Sequence, residues 1–216
     1  MEIRAYNELY LPGAQNILGH AVDFAVMSLN MEPDILEKAL SVSPSAKQFA
    51  AGNPRYVAGI NGCEFARMLL DDAGISYPEV EDSMYLDRSP EFWAGWTLAY
   101  YQWFTDSSFM DIFHAASLDE ILQMYPLYHE MDISQFTDRM NRKMKEAFPR
   151  TRLRERRGNC GLSQAQLSAE ADVPLRQIQL FEQRRRDINR ASAITLYKLS
   201  KALHCRMEEL IEPEYY

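Results

Sequence analysis

The stretch LSQAQLSAEADVPLRQIQLFEQ, Leu162 to Gln183, places two short amphipathic segments back to back with only Ala171-Asp172-Val173-Pro174 between them. A helix that stops and restarts within so few residues holds the second segment at a fixed angle to the first. Pro174 fixes φ for a first turn, and Ser163 or its neighbourhood can cap the first segment. The spacing predicts a helix over 162–171 and a second over about 174–183. Leu167, Ala171, Val173, Ile178 and Phe181 then share one buried face. With Ile178 and Phe181 inside, Arg176, Gln177, Leu180 and Gln183 fall near the opposite face. An exposed Leu180 has no purpose on a plain solvent face.

The surrounding residues extend the pattern into a small helical domain. RTRLRERRGN, 150–159, predicts a preceding helix, and ASAITLYKLSKALH, 191–204, a following one with Ile194, Leu196, Leu199 and Leu203 as its apolar positions. RMEELIE adds a last short helix. Charge separates this part from the rest of the chain. Residues 150–216 carry 13 Lys and Arg against 9 Asp and Glu, net +4, whereas residues 1–149 carry 10 against 22, net −12. Such a sign difference indicates two domains with different partners. A rigid polar ridge on the basic domain fits the ~12 Å major groove of double-stranded DNA, where Arg reads guanine, Gln reads adenine and Leu meets a thymine methyl.

Residues 150–212 resemble the XRE (lambda-repressor-like) family of helix-turn-helix DNA-binding domains. The residues that carry the resemblance are Arg157, GLSQ with Gln164, Leu167, Ser168, Ala171, Val173, Ile178, Phe181 and Glu182, and the ending LYKLSKALHCRMEELI. The resemblance implies that Gln164 grips a phosphate and that Leu175, Arg176 and Gln177 read bases, with Leu180 one turn on. It also implies that Arg184, Arg185 and Asn189 lie near the DNA backbone, and that Arg157 and Glu182 form a structural ion pair. The sequence departs from the family at its usual glycines. Asp172, Arg184 and His204 stand in their places. Asp and His tolerate left-handed backbone at ~1 kcal/mol or less. Arg tolerates it worse, so either the third helix runs further here or its exit turn differs.

Residues 1–148 read as an acidic multi-helix domain, and 149–216 as the DNA-binding domain, so the whole chain is expected to be all-α. Helical stripes recur, as in Ile17, Ala21, Phe24 and Ala25. Further helices are predicted from EPDILEKAL, SPSAKQFAAGN, NPRYVAGINGCEFARMLLDDAG, SLDEILQMYPLYHEM and DISQFTDRMNRKMKEAF, with Ser117 and Asp132 as caps of the last two. Gly59 and Gly62 suit close helix packing better than a phosphate cradle, since no strand precedes them. ISYPEVEDSMYLDRS reads as an acidic loop, with room for one short extended piece. SPEFWAGWTLAYYQWFTDSSFMDIFHAA starts at Ser89 and Pro90 and repeats aromatics at three and four: Trp93, Trp96, Tyr100, Trp103 and Phe104. These suit the core of a helical domain, or a groove for a ligand or peptide. A junction is expected at 146–151.

No catalytic constellation stands out. His114, His129 and Glu130 are the best titratable candidates, but none lies in a metal-binding, nucleophile-elbow or phosphate-loop motif. No enzyme activity, cofactor or metal site is expected. Cys63, Cys160 and Cys205 are an odd number without CxxC spacing; they suit buried small hydrophobes in a reducing cytoplasm. Neither a signal peptide nor a membrane span is expected. A homodimer suits so small a DNA-binding module. The first domain is expected to dimerise or to bind a protein partner. FWAGWTLAYYQW resembles regions that some XRE-type proteins join to toxin neutralisation, which makes an antitoxin one alternative. A ligand-sensing or catalytic first domain, with a pocket formed by Tyr100, Trp103, His114 and His129, is another.

Overall fold

The computed structural model describes residues 4–82 and 88–212. Two compact units divide at Ala147 and Phe148. No strand occurs among the described residues, and no helix of theirs is long and apolar enough to cross a membrane.

The first unit is built around a close crossing of two helices. These are α1 (Leu11–Asp23), extended by a π-type turn over Phe24–Ser28, and the aromatic helix, numbered α6 below. Between them lie α2 (Pro33–Val42), α3 (Pro44–Ala50), α4 (Pro54–Ala58) and α5 (Gly62–Asp72), followed by an irregular segment over 75–82. The remainder of the predicted acidic loop, 83–87, lies outside the described residues. Then come α6 (Pro90–Thr105), α7 (Phe109–Ala115), α8 (Leu118–Tyr128) and α9 (Ile133–Ala147). A Cβ on Gly95 would sit 2.3 Å from the carbonyl oxygen of Leu18, so only glycine lets α6 approach α1 this closely. Leu18, Phe24, Phe49, Phe65, Leu98 and Tyr101 fill the core at 0% exposure. Tyr101 also donates to Asn141 Oδ1 at 2.9 Å, tying α6 to α9.

Two segments expected as continuous helices are broken. Residues 53–74 form α4 and α5 because Asn61 caps a new helix, its side chain accepting from Glu64 N–H at 2.8 Å. Gly62 then packs against α1, where a Cβ would meet that of His20 at 2.4 Å, so close packing rather than a phosphate cradle accounts for it. The aromatic segment ends as α6 at Asp106, whose φ is +53°, and Ser108 caps α7. Among the cysteines, Cys63 is buried but Cys160 is exposed, because it follows the last turn of its helix on the surface.

The second unit consists of α10 (Arg152–Asn159), α11 (Gln164–Ala171), α12 (Leu175–Glu182), a 3-10 turn over Ile188–Arg190, α13 (Ala193–Ala202) and a closing 3-10 turn over Met207–Leu210. RMEELIE thus closes the domain as a 3-10 turn. Thr151, Ser163 and Ser192 cap three of the helices through their hydroxyls. Leu153, Leu167, Ile178, Leu199 and Leu210 are completely buried in a core of its own. Ile194, expected inside, is 60% exposed: the register that buries Leu196, Leu199 and Leu203 turns it outward.

The three positions where the sequence lacks glycine share one backbone solution. Asp172, Arg184 and His204 adopt φ of +48°, +52° and +49°. Neither a longer third helix nor a different exit turn is needed, since Arg184 itself takes the left-handed conformation. Its guanidinium helps hold it there, donating to the carbonyls of Pro149 at 2.9 Å and Phe148 at 3.5 Å. Both Arg184→Gly and Arg184→Ala remove those bonds, so their difference isolates the backbone. Arg184→Ala is expected to be less stable than Arg184→Gly by about 1 kcal/mol. Hydrogen exchange of the Ile178 and Leu199 amides measures this within the second unit, and equal protection in the two variants would remove the strain argument.

Candidate nucleic-acid interface

The turn between α11 and α12 is fixed on both sides. Ser163 and Gln166 form a capping box at the start of α11, with Ser163 Oγ accepting from Gln166 N–H at 3.2 Å and Gln166 Oε1 from Ser163 N–H at 2.8 Å. The helix ends at left-handed Asp172, whose carboxylate receives Lys198 Nζ at 2.7 Å. That contact holds the carboxyl of Asp172 below the usual carboxylate range. Ser168 Oγ donates to the carbonyl of Val173 at 2.7 Å, closing the turn. Pro174 precedes α12 with φ −55° and ψ 130°, acting as its N-cap rather than its first helical residue.

A carboxylate anchors α12 from behind. Glu182 is 8% exposed and accepts from Arg157 Nε at 2.6 Å, Arg157 Nη2 at 2.9 Å and Gln164 Nε2 at 2.8 Å. Arg157 Nη1 also donates to the carbonyl of Leu162 at 2.7 Å. One bidentate pair therefore joins α10, the start of α11 and the end of α12. Burial pushes the Glu182 carboxyl up. The hydrogen bonds from Arg157 and Gln164, with the positive charge of Arg157, outweigh burial and hold it below its usual range.

With Ile178, Phe181 and Glu182 inside, α12 presents the other face outward. Leu175 and Arg176 are exposed at its first turn, Gln177 is half-buried beside them, and Gln183 is exposed at its end. Among the described residues, no hydrogen bond or ion pair engages the side chains of Arg176, Gln177 or Gln183. Leu180, read from the sequence as exposed, is half-buried, because the exit turn folds back and the backbone N–H groups of Arg185 and Arg186 donate to its carbonyl.

The residues assigned to the DNA backbone fall into two groups. Gln164 stands at the N-terminus of α11 with one amide proton on Glu182 and a second left over. The first-turn N–H groups of Gln164 and Ala165 have no intrahelical acceptor, a site suited to phosphate that was not picked out from the sequence. Arg185 is exposed with its guanidinium uncommitted among the described residues. Arg184 and Asn189 are committed within the domain. Arg184 reaches Pro149 and Phe148, and Asn189 exchanges hydrogen bonds with the backbone of Glu212 at 2.7 and 2.8 Å. Those bonds hold both side chains in place within the domain, and Asn189 keeps one amide proton beyond them. Arg186, which sequence reasoning did not assign, lies over the Phe181 ring at 5.9 Å.

In the first unit, Tyr100, Trp103 and His114 are not among the residues that line the cavity at His129. Trp103 is buried and donates to the carbonyl of Tyr6 at 2.8 Å, and Tyr100 stacks on Phe104. Trp93 and Trp96 stand beside His129 in that cavity instead. No cluster of metal-ligating side chains occurs among the described residues.

Residues 153–210 match the protein-family model described as Helix-turn-helix. No curated protein and no solved structure matches the chain. The second unit is a helix-turn-helix domain of the XRE type, a DNA-binding module.

The anchor sets a measurable stability. Arg157→Ala or Glu182→Ala is expected to cost about 3–5 kcal/mol, because each leaves a largely buried charge unpaired. Arg157→Met with Glu182→Leu together is expected to cost less than either alone. Urea unfolding followed by far-UV circular dichroism checks this. Additive losses in the double variant would show that the two residues do not act as a pair.

Proposed function

We propose that the chain is a sequence-specific DNA-binding transcriptional regulator of bacterial XRE type, with α12 as its recognition helix in the major groove. The observation that carries this reading is the pairing of an outer face with uncommitted Arg176, Gln177 and Gln183 and an inner face pinned by Arg157 and Glu182. A reading helix needs both: donors free to meet bases, and a rigid support that fixes their register.

Arg176 is suited to guanine O6 and N7, Gln177 to adenine N6 and N7, and Leu175 to a thymine methyl. Gln164 and the free N–H groups at the start of α11 meet a phosphate on one side, and Arg185 and Arg186 supply charge on the other. Because Gln164 shares Glu182 with Arg157, its phosphate contact and the orientation of α12 are mechanically joined. A homodimer would set two recognition helices ~34 Å apart on successive turns of the duplex. The acidic first unit, at net −12 with residues 148–149 uncharged, repels phosphate at short range. Its role is dimerisation or recognition of another molecule, in a cytoplasmic setting where DNA is accessible.

Selection of bound duplexes from a random pool, followed by anisotropy titration, tests the reading. Arg176→Ala is expected to lose about 1–3 kcal/mol of binding, roughly 5- to 150-fold, and to relax preference at one base pair. Unchanged affinity and preference, or no enrichment of any sequence, would overturn it.

A further inference from the structure

The first unit contains a cavity of about 340 Å³, within the range of small-molecule sites. Its walls come from the N-terminal half of α6, the C-terminal end of α8 and the first turn of α9. Trp93, Trp96, Tyr125 and Tyr128 are half-buried around it, and fully packed Phe136 closes one side. The rings are held by one another. Trp93 meets Tyr125 and Phe136 edge-on, at centroid distances of 5.7 and 5.5 Å and interplanar angles of 77° in both cases. The α6 aromatics therefore serve two purposes: Phe92, Tyr101 and Trp103 fill the core, while Trp93 and Trp96 remain partly open.

Charge in the cavity is one-sided. No acidic side chain lines it among the described residues, and Arg88 stands at its edge with the guanidinium 5.5 Å from the Phe92 ring centre. Arg88 makes no ion pair with a described carboxylate. His129 is otherwise engaged. Its Nδ1 lies 2.8 Å from the carbonyl oxygen of Tyr125, which can only accept, so Nδ1 carries the proton; Nε2 lies 3.7 Å from Glu130. Aromatic walls favour a flat ring, and an unpaired guanidinium favours an anion while disfavouring a cation.

We propose that this cavity binds a small planar organic anion, one or two fused aromatic rings bearing a carboxylate, with the ring between Trp93, Trp96 and Tyr125 and the carboxylate on Arg88. Such a site gives the acidic unit a sensing role, and it stands independently of the DNA reading, because binding is measured without DNA.

Isothermal titration of the chain with three probes of one ring system tests it: indole-3-acetate, indole and tryptamine. Indole-3-acetate is expected to bind tighter than neutral indole by roughly 3- to 10-fold, a modest factor because Arg88 is exposed. Tryptamine is expected to bind weakest. Arg88→Ala should remove the preference for the acid while leaving indole binding in place. Trp96→Ala should weaken all three, with circular dichroism showing an unchanged fold. Tryptamine binding as tightly as indole-3-acetate, an acid preference that survives Arg88→Ala, or no heat from any probe at millimolar concentration would overturn the proposal. The last outcome would leave the aromatic surface to a protein partner.

Discussion

Everything in the C-terminal unit turns on one buried carboxylate. Glu182 draws Arg157 from α10 and Gln164 from α11 onto the inner end of α12. Removing two charges from water costs several kcal/mol per ion, and only bidentate geometry with the remaining lone pairs filled recovers it. Here the Arg157 fork closes on both carboxylate oxygens, and its other nitrogen reaches the carbonyl of Leu162. The return lies less in raw stability than in orientation. With this end of α12 fixed, the exposed side of the helix has one direction to face.

The same domain shows how far backbone geometry can absorb sequence change. Four positions are left-handed, and non-glycine residues supply three of them, with Gly161 the fourth. Each stand-in has local support or little to oppose it. Asp172 is a side chain that tolerates the conformation and is held by Lys198. Arg184 uses its length to reach the carbonyls that precede α10. His204 lies at the surface, where no packing resists it. The arginine that compensates strain at 184 is thereby tied to backbone carbonyls of its own domain.

What could be read from the sequence follows the range of the interactions. Helix starts were legible because their caps are local: Ser89, Ser117, Ser163 and Asp132 each bond a backbone N–H within three residues. The inward set of α12 was legible because period fixes it. Breaks at Asn61 and Asp106 were missed because a cap inside an apolar run competes with a continuous stripe, and tertiary packing decides between them. The commitments of Arg184 and Asn189 were invisible for another reason. Their partners, Pro149 and Glu212, lie 35 and 23 positions away, and only the folded path brings them close. The sequence leaves core and groove both open for the α6 aromatics, and which of them line a cavity is not legible, since α6 alone does not reveal that α8 and α9 leave Trp93 and Trp96 partly uncovered.

The two units differ in charge and in what their exposed side chains can do, which suits recognition of different molecules. The central claim is that the outer face of α12, together with the start of α11, meets duplex DNA. Nuclear magnetic resonance of the 15N-labelled chain, titrated with a selected duplex and with a shuffled one, tests it most directly. Amide shifts concentrated at Gln164, Ala165 and Leu175 to Gln177, strong with the selected duplex and weak with the shuffled one, are the expected result. Shifts confined to residues 4–147, or equal for both duplexes, would contradict it.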